Sequence, residues 1–263
     1  MKKNKAILAV AFALVCGAHA ALIGEWSFDG QNMYNAAETP ATTHRGIYRY
    51  HNGTAMVNSE TGVFSTDTRL GEGYSLDLSA AKAHMYIHDS TTYLPTTTFT
   101  YSVFVKVDGW QDGTWDTILS KQSGGSAGFA LRHTSNLDYT GVDLIGETTN
   151  IRDVTDQVNV ADNGWHHLAF TYDGTTAKYY IDGVLRRSLA SDFTPDTGSF
   201  LVLGAQDTAG NEQFGGLVDD LSVYDTALTA EEIAAIAIPE PATLGMVLSF
   251  SVAIVAIRRR LIM

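Results

Sequence analysis

Apolar and polar residues alternate with a period of two over much of this chain, most regularly between Thr97 and Val107. There Phe99, Tyr101, Val103, Val105 and Val107 share one face, while Thr98, Thr100, Ser102 and Lys106 take the other. That period, with its β-branched and aromatic residues, predicts a half-buried strand. A second segment, Trp165 to Tyr172, places Leu168, Phe170 and Tyr172 on one face. Asp173-Gly174 then turns the chain into a return strand, Ala177 to Ile181, and Asp182-Gly183 turns it again into Val184-Leu185. Asp-Gly favours the positive φ values that tight hairpins need, so the stretch predicts antiparallel pairing.

Further strands are expected at Ala21 to Phe28, Gly71 to Leu78 (a turn feeding a strand), Ala83 to His88, Thr117 to Ser120, Gly128 to His133, Val142 to Gly146, Ser199 to Gly204 and Gly216 to Tyr224. Gln31 to Asp67 is polar and turn-rich. It predicts a long ordered loop with one or two short strands, around Ile47 to Tyr50 and Ala55 to Val57. Ten or more short strands punctuated by Gly, Asp and Asn leave a two-sheet sandwich or a barrel. One helix is expected, because Thr229-Ala230-Glu231-Glu232 fits a capping box with Thr229 as N-cap. Ile233 and Ile236 would pack back onto the sheets. With no internal repeat and no low-complexity linker, Ala21 to Ile238 reads as one all-β domain.

The two ends differ from this core. Lys2, Lys3 and Lys5 precede the apolar run Ala6 to Val15, and Ala18-His19-Ala20 supplies small residues where a signal peptidase would cut, after Ala20. About ten apolar residues cannot cross a hydrocarbon layer of ~30 Å, so residues 1–20 are expected to be a signal peptide and not an anchor. Cys16 lies within it. The mature domain would therefore have no thiol, disulfide or cysteine metal site. At the other end, Pro239-Glu240-Pro241 stops the helix, Ala242 to Ile257 is uncharged and largely apolar, and Arg258-Arg259-Arg260 follow. Sixteen residues rise ~24 Å as a helix, near the lower limit for a bilayer, with the arginines held on the cytoplasmic side.

Charge narrows the function classes. The chain has 17 basic and 29 acidic residues; the two ends hold six of the basic and one of the acidic, which leaves the core at −17. Such a core argues against binding nucleic acid or an anionic membrane through a basic patch. It leaves carboxylates available for calcium.

Pro-Glu-Pro, an apolar helix and an arginine cluster, in that order at the C-terminus, resemble the PEP-CTERM sorting signal of Gram-negative bacteria. The resemblance covers residues 239–263 and implies recognition by an exosortase, removal of the tail and delivery to the cell surface or its exopolysaccharide. The simpler alternative is a plain C-terminal membrane anchor. The core also resembles a family. W-H-H-L-A-F-T-Y-D-G with Y-Y-I-D-G, the opening E-W-S-F-D-G, the strand F-T-Y-S-V-F-V-K-V and the closing F-G-G-L-V-D-D-L-S-V-Y-D-T-A-L-T-A-E-E-I are similar, in order, to LamG-like jelly-roll domains of the concanavalin A-like lectin/glucanase group. That resemblance spans about Leu22 to Ala235. It implies two antiparallel sheets packed face to face, with the first and last strands adjacent.

Candidate chemistry is sparse. His166 and His167 are neighbours on a strand, so they point to opposite faces and cannot converge on one atom. Polysaccharide-cleaving jelly rolls need two carboxylates ~5–9 Å apart across the scissile bond. No run of acids at alternate positions supplies them, and Asp219 and Asp220, being consecutive, should face opposite ways. LamG-like relatives frequently hold calcium at the sandwich rim. If the first and last strands pair antiparallel, Asp29 and Asp219 lie close together, as either a cation site or a repulsive pair. Trp110 and Trp115, in D-G-W-Q-D-G-T-W-D, either stack on sugar faces or plug the end of the sandwich.

The expectation is a secreted, surface-sorted, non-catalytic module for extracellular polysaccharide or protein partners. The alternatives are a carbohydrate-active enzyme on the same fold and a structural matrix protein without a specific ligand.

Overall fold

A computed structural model describes residues 20–38, 44–59, 61–88, 90–110, 115–122, 128–133, 140–145, 151–152, 158–191 and 193–238. In chain order, β1 (Leu22–Trp26), β2 (Gly46–His51), β3 (Met56–Ser59), β4 (Phe64–Ser65), β5 (Ser75–Asp77) and β6 (His84–Ile87) precede a single turn of helix, α1 (Ser90–Tyr93). Then come β7 (Phe99–Lys106), β8 (Thr117–Gln122), β9 (Gly128–His133), β10 (Thr140–Ile145) and β11 (Ile151–Arg152). The last group is β12 (Trp165–Tyr172), β13 (Thr176–Ile181), β14 (Val184–Ala190), β15 (Val202–Leu203), β16 (Leu217–Tyr224) and α2 (Ala230–Ala237). The Gln31 to Asp67 stretch thus holds three strands, where hydrophobic pattern alone predicts one or two.

The strands form two antiparallel sheets. The first has the order β14-β13-β12-β7-β16-β5-β4, with β1 also on β16; the second has the order β11-β10-β9-β8-β15-β6-β2-β3. The first and last strands are neighbours, with Leu22 opposite Tyr224 and Trp26 opposite Leu221. Asp173-Gly174 and Asp182-Gly183 turn the β12-β13-β14 meander as expected, with φ of 93° at Gly174, 50° at Asp182 and 76° at Gly183.

The core lies between the sheets. Trp26, Leu76, Tyr101, Val103, Val105, Leu168 and Phe170 from the first sheet meet Tyr48, Met85, Phe129, Leu131 and Leu203 from the second. Aromatic rings bridge the layers: Phe129 sits 4.9 Å from Tyr101 and 5.2 Å from Phe170, centroid to centroid. The alternation in β7 is correct, but its polar face is not solvated. Seven of its eight residues are buried, because α2 and the 67–72 loop lie on the outer side. The polar side chains there are satisfied locally. Thr100 Oγ1 donates to Thr226 O and accepts from Leu228 N, and Ser102 Oγ pairs with His167 Nε2 at 2.8 Å.

Helix α2 has the expected capping box: Thr229 accepts from Glu232 N, and Glu232 accepts from Thr229 N. Leu228 and Ile233 pack with Ala169 and Tyr180 in a second, smaller apolar cluster on the outer face. Among the described residues no helix is long and apolar enough to cross a membrane. Residues 1–19 and the tail with Pro239, Glu240, Pro241, Arg258, Arg259 and Arg260 lie outside the described residues.

Candidate binding site

The pairing of β1 with β16 brings Asp29 and Asp219 to the rim of one pocket of about 260 Å³, together with Glu72 and Asp220. Asp220 joins them because β16 breaks register between Asp219 and Ser222 and Asp220 takes a φ of 44°. Strict alternation would send the two aspartates to opposite faces; the bulge overturns that expectation by re-aiming one of them. Asp219 is 4% exposed. Burial first, then repulsion from Asp220 and Asp29, pushes its carboxyl up to about 7. Its Oδ1 accepts the Asp220 backbone N–H at 2.9 Å. Asp29 Oδ1 accepts from Tyr74 N, and a Cβ on Gly73 would fall 1.9 Å from that same oxygen, so the loop closes on the carboxylate only with glycine there.

These oxygens are of the type calcium takes, and an ion would relieve the repulsion at Asp219. As arranged, though, no three Asp, Glu, His or Cys side chains among the described residues converge tightly enough to hold a metal by themselves. Backbone carbonyls or water would have to complete any shell.

A larger groove, about 540 Å³, opens beside the rim on the outer face of the first sheet, under α2. Glu25 and Ser222, paired across β1 and β16, form its floor with Tyr224. Arg69 lies over the Phe104 ring at 4.1 Å and its Nε reaches Asp220 Oδ2 at 2.5 Å. Burial, then the Asp220 charge, raises the Glu25 carboxyl above its ordinary range. The groove therefore offers a carboxyl raised by burial, an ion-paired carboxylate, a hydroxyl and an aromatic ring. A search for acids at alternate positions of one strand misses this pair, since Glu25 and Asp220 come from different strands. Two adjacent acids in an apolar strand were the available signal of a bulge.

The two tryptophans do not stand free. Trp110 stacks on His133 with centroids 4.4 Å apart, and the Arg132 guanidinium lies 4.1 Å over Trp115. Each therefore has one face covered by a β9 side chain. His166 and His167 diverge as expected. His167 is buried against Ser102, and burial, against the pull of Asp182, lowers it to about 4.

Comparison with solved structures places the fold. Domain 4 of AbnA, a GH43 extracellular arabinanase from Geobacillus stearothermophilus, determined in complex with arabinotriose, is similar with a TM-score of 0.65 at 19% identity, over 83% of this chain and 99% of that one. The binding domain of Paraclostridial Mosquitocidal Protein 1 matches with a TM-score of 0.60 at 13% identity, over 82% of this chain and 51% of that one. The Botulinum neurotoxin serotype D binding domain matches at 0.58 and 11%, over 82% and 50%. The chain thus spans nearly all of the arabinanase domain and about half of each toxin domain. A family model described as the concanavalin A-like lectin/glucanases superfamily, Laminin_G_3, matches residues 79–234. With two antiparallel sheets in the arrangement described and more than half of its length matched, this chain belongs to the concanavalin A-like lectin/glucanases superfamily.

Proposed function

We propose that this protein is a secreted, surface-sorted and non-catalytic module that binds extracellular polysaccharide. The observation that carries the reading is the groove under α2, where Glu25, Asp220 and Ser222 supply hydrogen-bonding groups beside the Tyr224 ring. A sugar presents the matching chemistry, hydroxyls around its edge and an apolar face. Superfamily membership and the arabinotriose held by the arabinanase domain support the same class of ligand. A protein partner is the variant of this reading in which a loop occupies the groove. Secretion through signal peptidase after Ala20 and sorting by an exosortase rest on the sequence of the two ends. Calcium at Asp29 and Asp219, which line one rim pocket, would order the rim beside the groove.

One observation favours a second reading, cleavage of a glycan. Glu25, raised, and Asp220, ion-paired, line the same groove, and an acid and a carboxylate are what glycoside hydrolysis uses. A glycan array paired with a turnover screen on the same panel separates the two. Binding without products supports the binding module. Products that disappear in Glu25→Gln establish the hydrolase, and neither binding nor turnover overturns both.

A further inference from the structure

Ala21, the residue before β1, is tied twice to Asp225, the residue after β16. Its N–H donates to Asp225 Oδ1 at 3.0 Å, and its carbonyl accepts the Asp225 backbone N–H at 3.2 Å. Leu22 pairs with Tyr224 one step further in, so these two bonds close the end of the ladder that joins the first and last strands. Asp225 is itself anchored, because its carbonyl accepts from Thr98 Oγ1 at 2.8 Å, just ahead of β7. Among the described residues no lysine, arginine or histidine pairs with its half-buried carboxylate. Ala20, the neighbour on the other side, packs against the small cluster that holds Leu228 and Ile233.

In the uncut chain the Ala21 nitrogen is an uncharged amide. Hydrolysis of the Ala20–Ala21 bond adds one water across it. The hydroxyl goes to the Ala20 carbonyl carbon, which leaves as a carboxylate, and the Ala21 nitrogen becomes a primary amine. That amine is protonated below its ordinary pKa of about 7.7–8.0. Because the nitrogen already lies 3.0 Å from a carboxylate oxygen, the new charge appears in place, as one half of a charge-assisted hydrogen bond. The surroundings act in the same direction: Tyr224, next to Asp225, feels the charges of Glu25 on β1 and Glu232 on α2, and both are acidic. A cut one residue earlier would carry the amine about 3.5 Å further along the chain and leave the amide in its place.

We infer that the α-amino group of Ala21, once released by cleavage, forms an ion pair with Asp225 that fastens β1 to β16 in the exported protein alone. The inference rests on the reading that export ends with cleavage after Ala20, and it adds what that cut does to the fold. The closing pair of strands is held by one charge more after export than before it.

The test uses the full chain recovered after export from a Gram-negative host, with its first residue identified by mass spectrometry. NMR titration of the Ala21 α-amino group should give a pKa above about 8, and Asp225→Asn should return it to the ordinary range. A chain that retains Ala20 should show no dependence of its amine on Asp225. Selective acetylation of the α-amino group should lower Tm by about 1–3 °C in wild type and by little in Asp225→Asn, as a double-mutant cycle requires of a direct pair. Acetylated wild type carries no substitution, so it keeps the test valid if Asp225→Asn fails to fold. An Ala21 amine that titrates in the ordinary range and ignores Asp225→Asn would overturn the ion pair while leaving cleavage established. A recovered protein that begins anywhere but Ala21 would instead remove the cleavage reading, and this inference with it.

Discussion

Asp182 holds His166 and the β12 backbone with a single carboxylate: its Oδ2 lies 2.8 Å from His166 Nδ1, and its Oδ1 accepts the His167 backbone N–H at 2.9 Å. Asp162 takes the other ring nitrogen at 3.1 Å. The residue that turns β13 into β14 thus also ties that turn to the start of β12.

The contact predicts a pH dependence of stability. The Asp182 bond foremost, partly opposed by burial and aided by Asp162, raises His166 above its ordinary value. A raised folded-state pKa contributes stability that is full below the unfolded value of about 6.5 and is lost as pH rises through the folded value. Asp182, lowered by the same bonds against the effect of burial, contributes above about 4 and loses that contribution in acid. His166→Gln should therefore lower Tm most below about pH 6.5, and the gap to wild type should narrow as pH rises through the raised folded value. Thermal melts across that range decide it; an equal gap at all pH values would contradict the charge assignment.

Asp219 has the opposite sign. An acid raised in the folded state favours folding only while protonated, so its contribution falls as pH climbs from about 4 to about 7. Without divalent cations, Asp219→Asn is expected to match wild type in acid and to melt higher at about pH 8. If calcium occupies the rim, wild type should gain Tm at millimolar calcium, more strongly above pH 7, and Asp219→Asn should gain little. Melts with and without calcium at two pH values measure both effects. No calcium response at alkaline pH would eliminate the ion site.

The second cluster depends on how α2 is started and how closely it approaches. Thr229→Ala removes the cap and should cost about 1 kcal/mol. Gly183 faces α2 at a φ of 76°, and a Cβ there would meet Ala234 Cα at 2.9 Å. Gly183→Ala should cost about 1–2 kcal/mol from the backbone conformation alone, with displacement of the helix added. Urea unfolding of both variants, compared with Ala237→Gly as a helix-end control, measures these costs.

Phe170 joins the sheets through Phe129 and contacts Phe99 with centroids 5.6 Å apart. Phe170→Ala should lower stability by about 3–5 kcal/mol, because a close-packed interior cannot collapse around the lost ring. A loss under about 1 kcal/mol in denaturant titration would mean that the sheets are not packed there as described.

Strand content, the two Asp-Gly turns, the capping box and the adjacency of first and last strands were legible in the sequence. Each depends on local chemistry or, for the adjacency, on an ordered set of family-like segments. Asp29 and Asp219 could be brought together by the same adjacency. Asp220 could not, because alternation assumes a regular strand and only the bulge in β16 turns it into the same pocket. Trp165 and Lys106 are far apart in the chain, and their shared row exists only through β12–β7 register. Ser102 and Thr100 look solvent-facing from period alone, yet lie beneath the α2 segment, since one strand's pattern carries no information about what covers its second face. The sequence alone therefore determined that this domain is built of antiparallel strands, and its family-like segments implied the sandwich. Which acids, rings and cations share a cleft was decided by tertiary structure, because register, bulges and covering elements are relations between segments and not properties of any one of them.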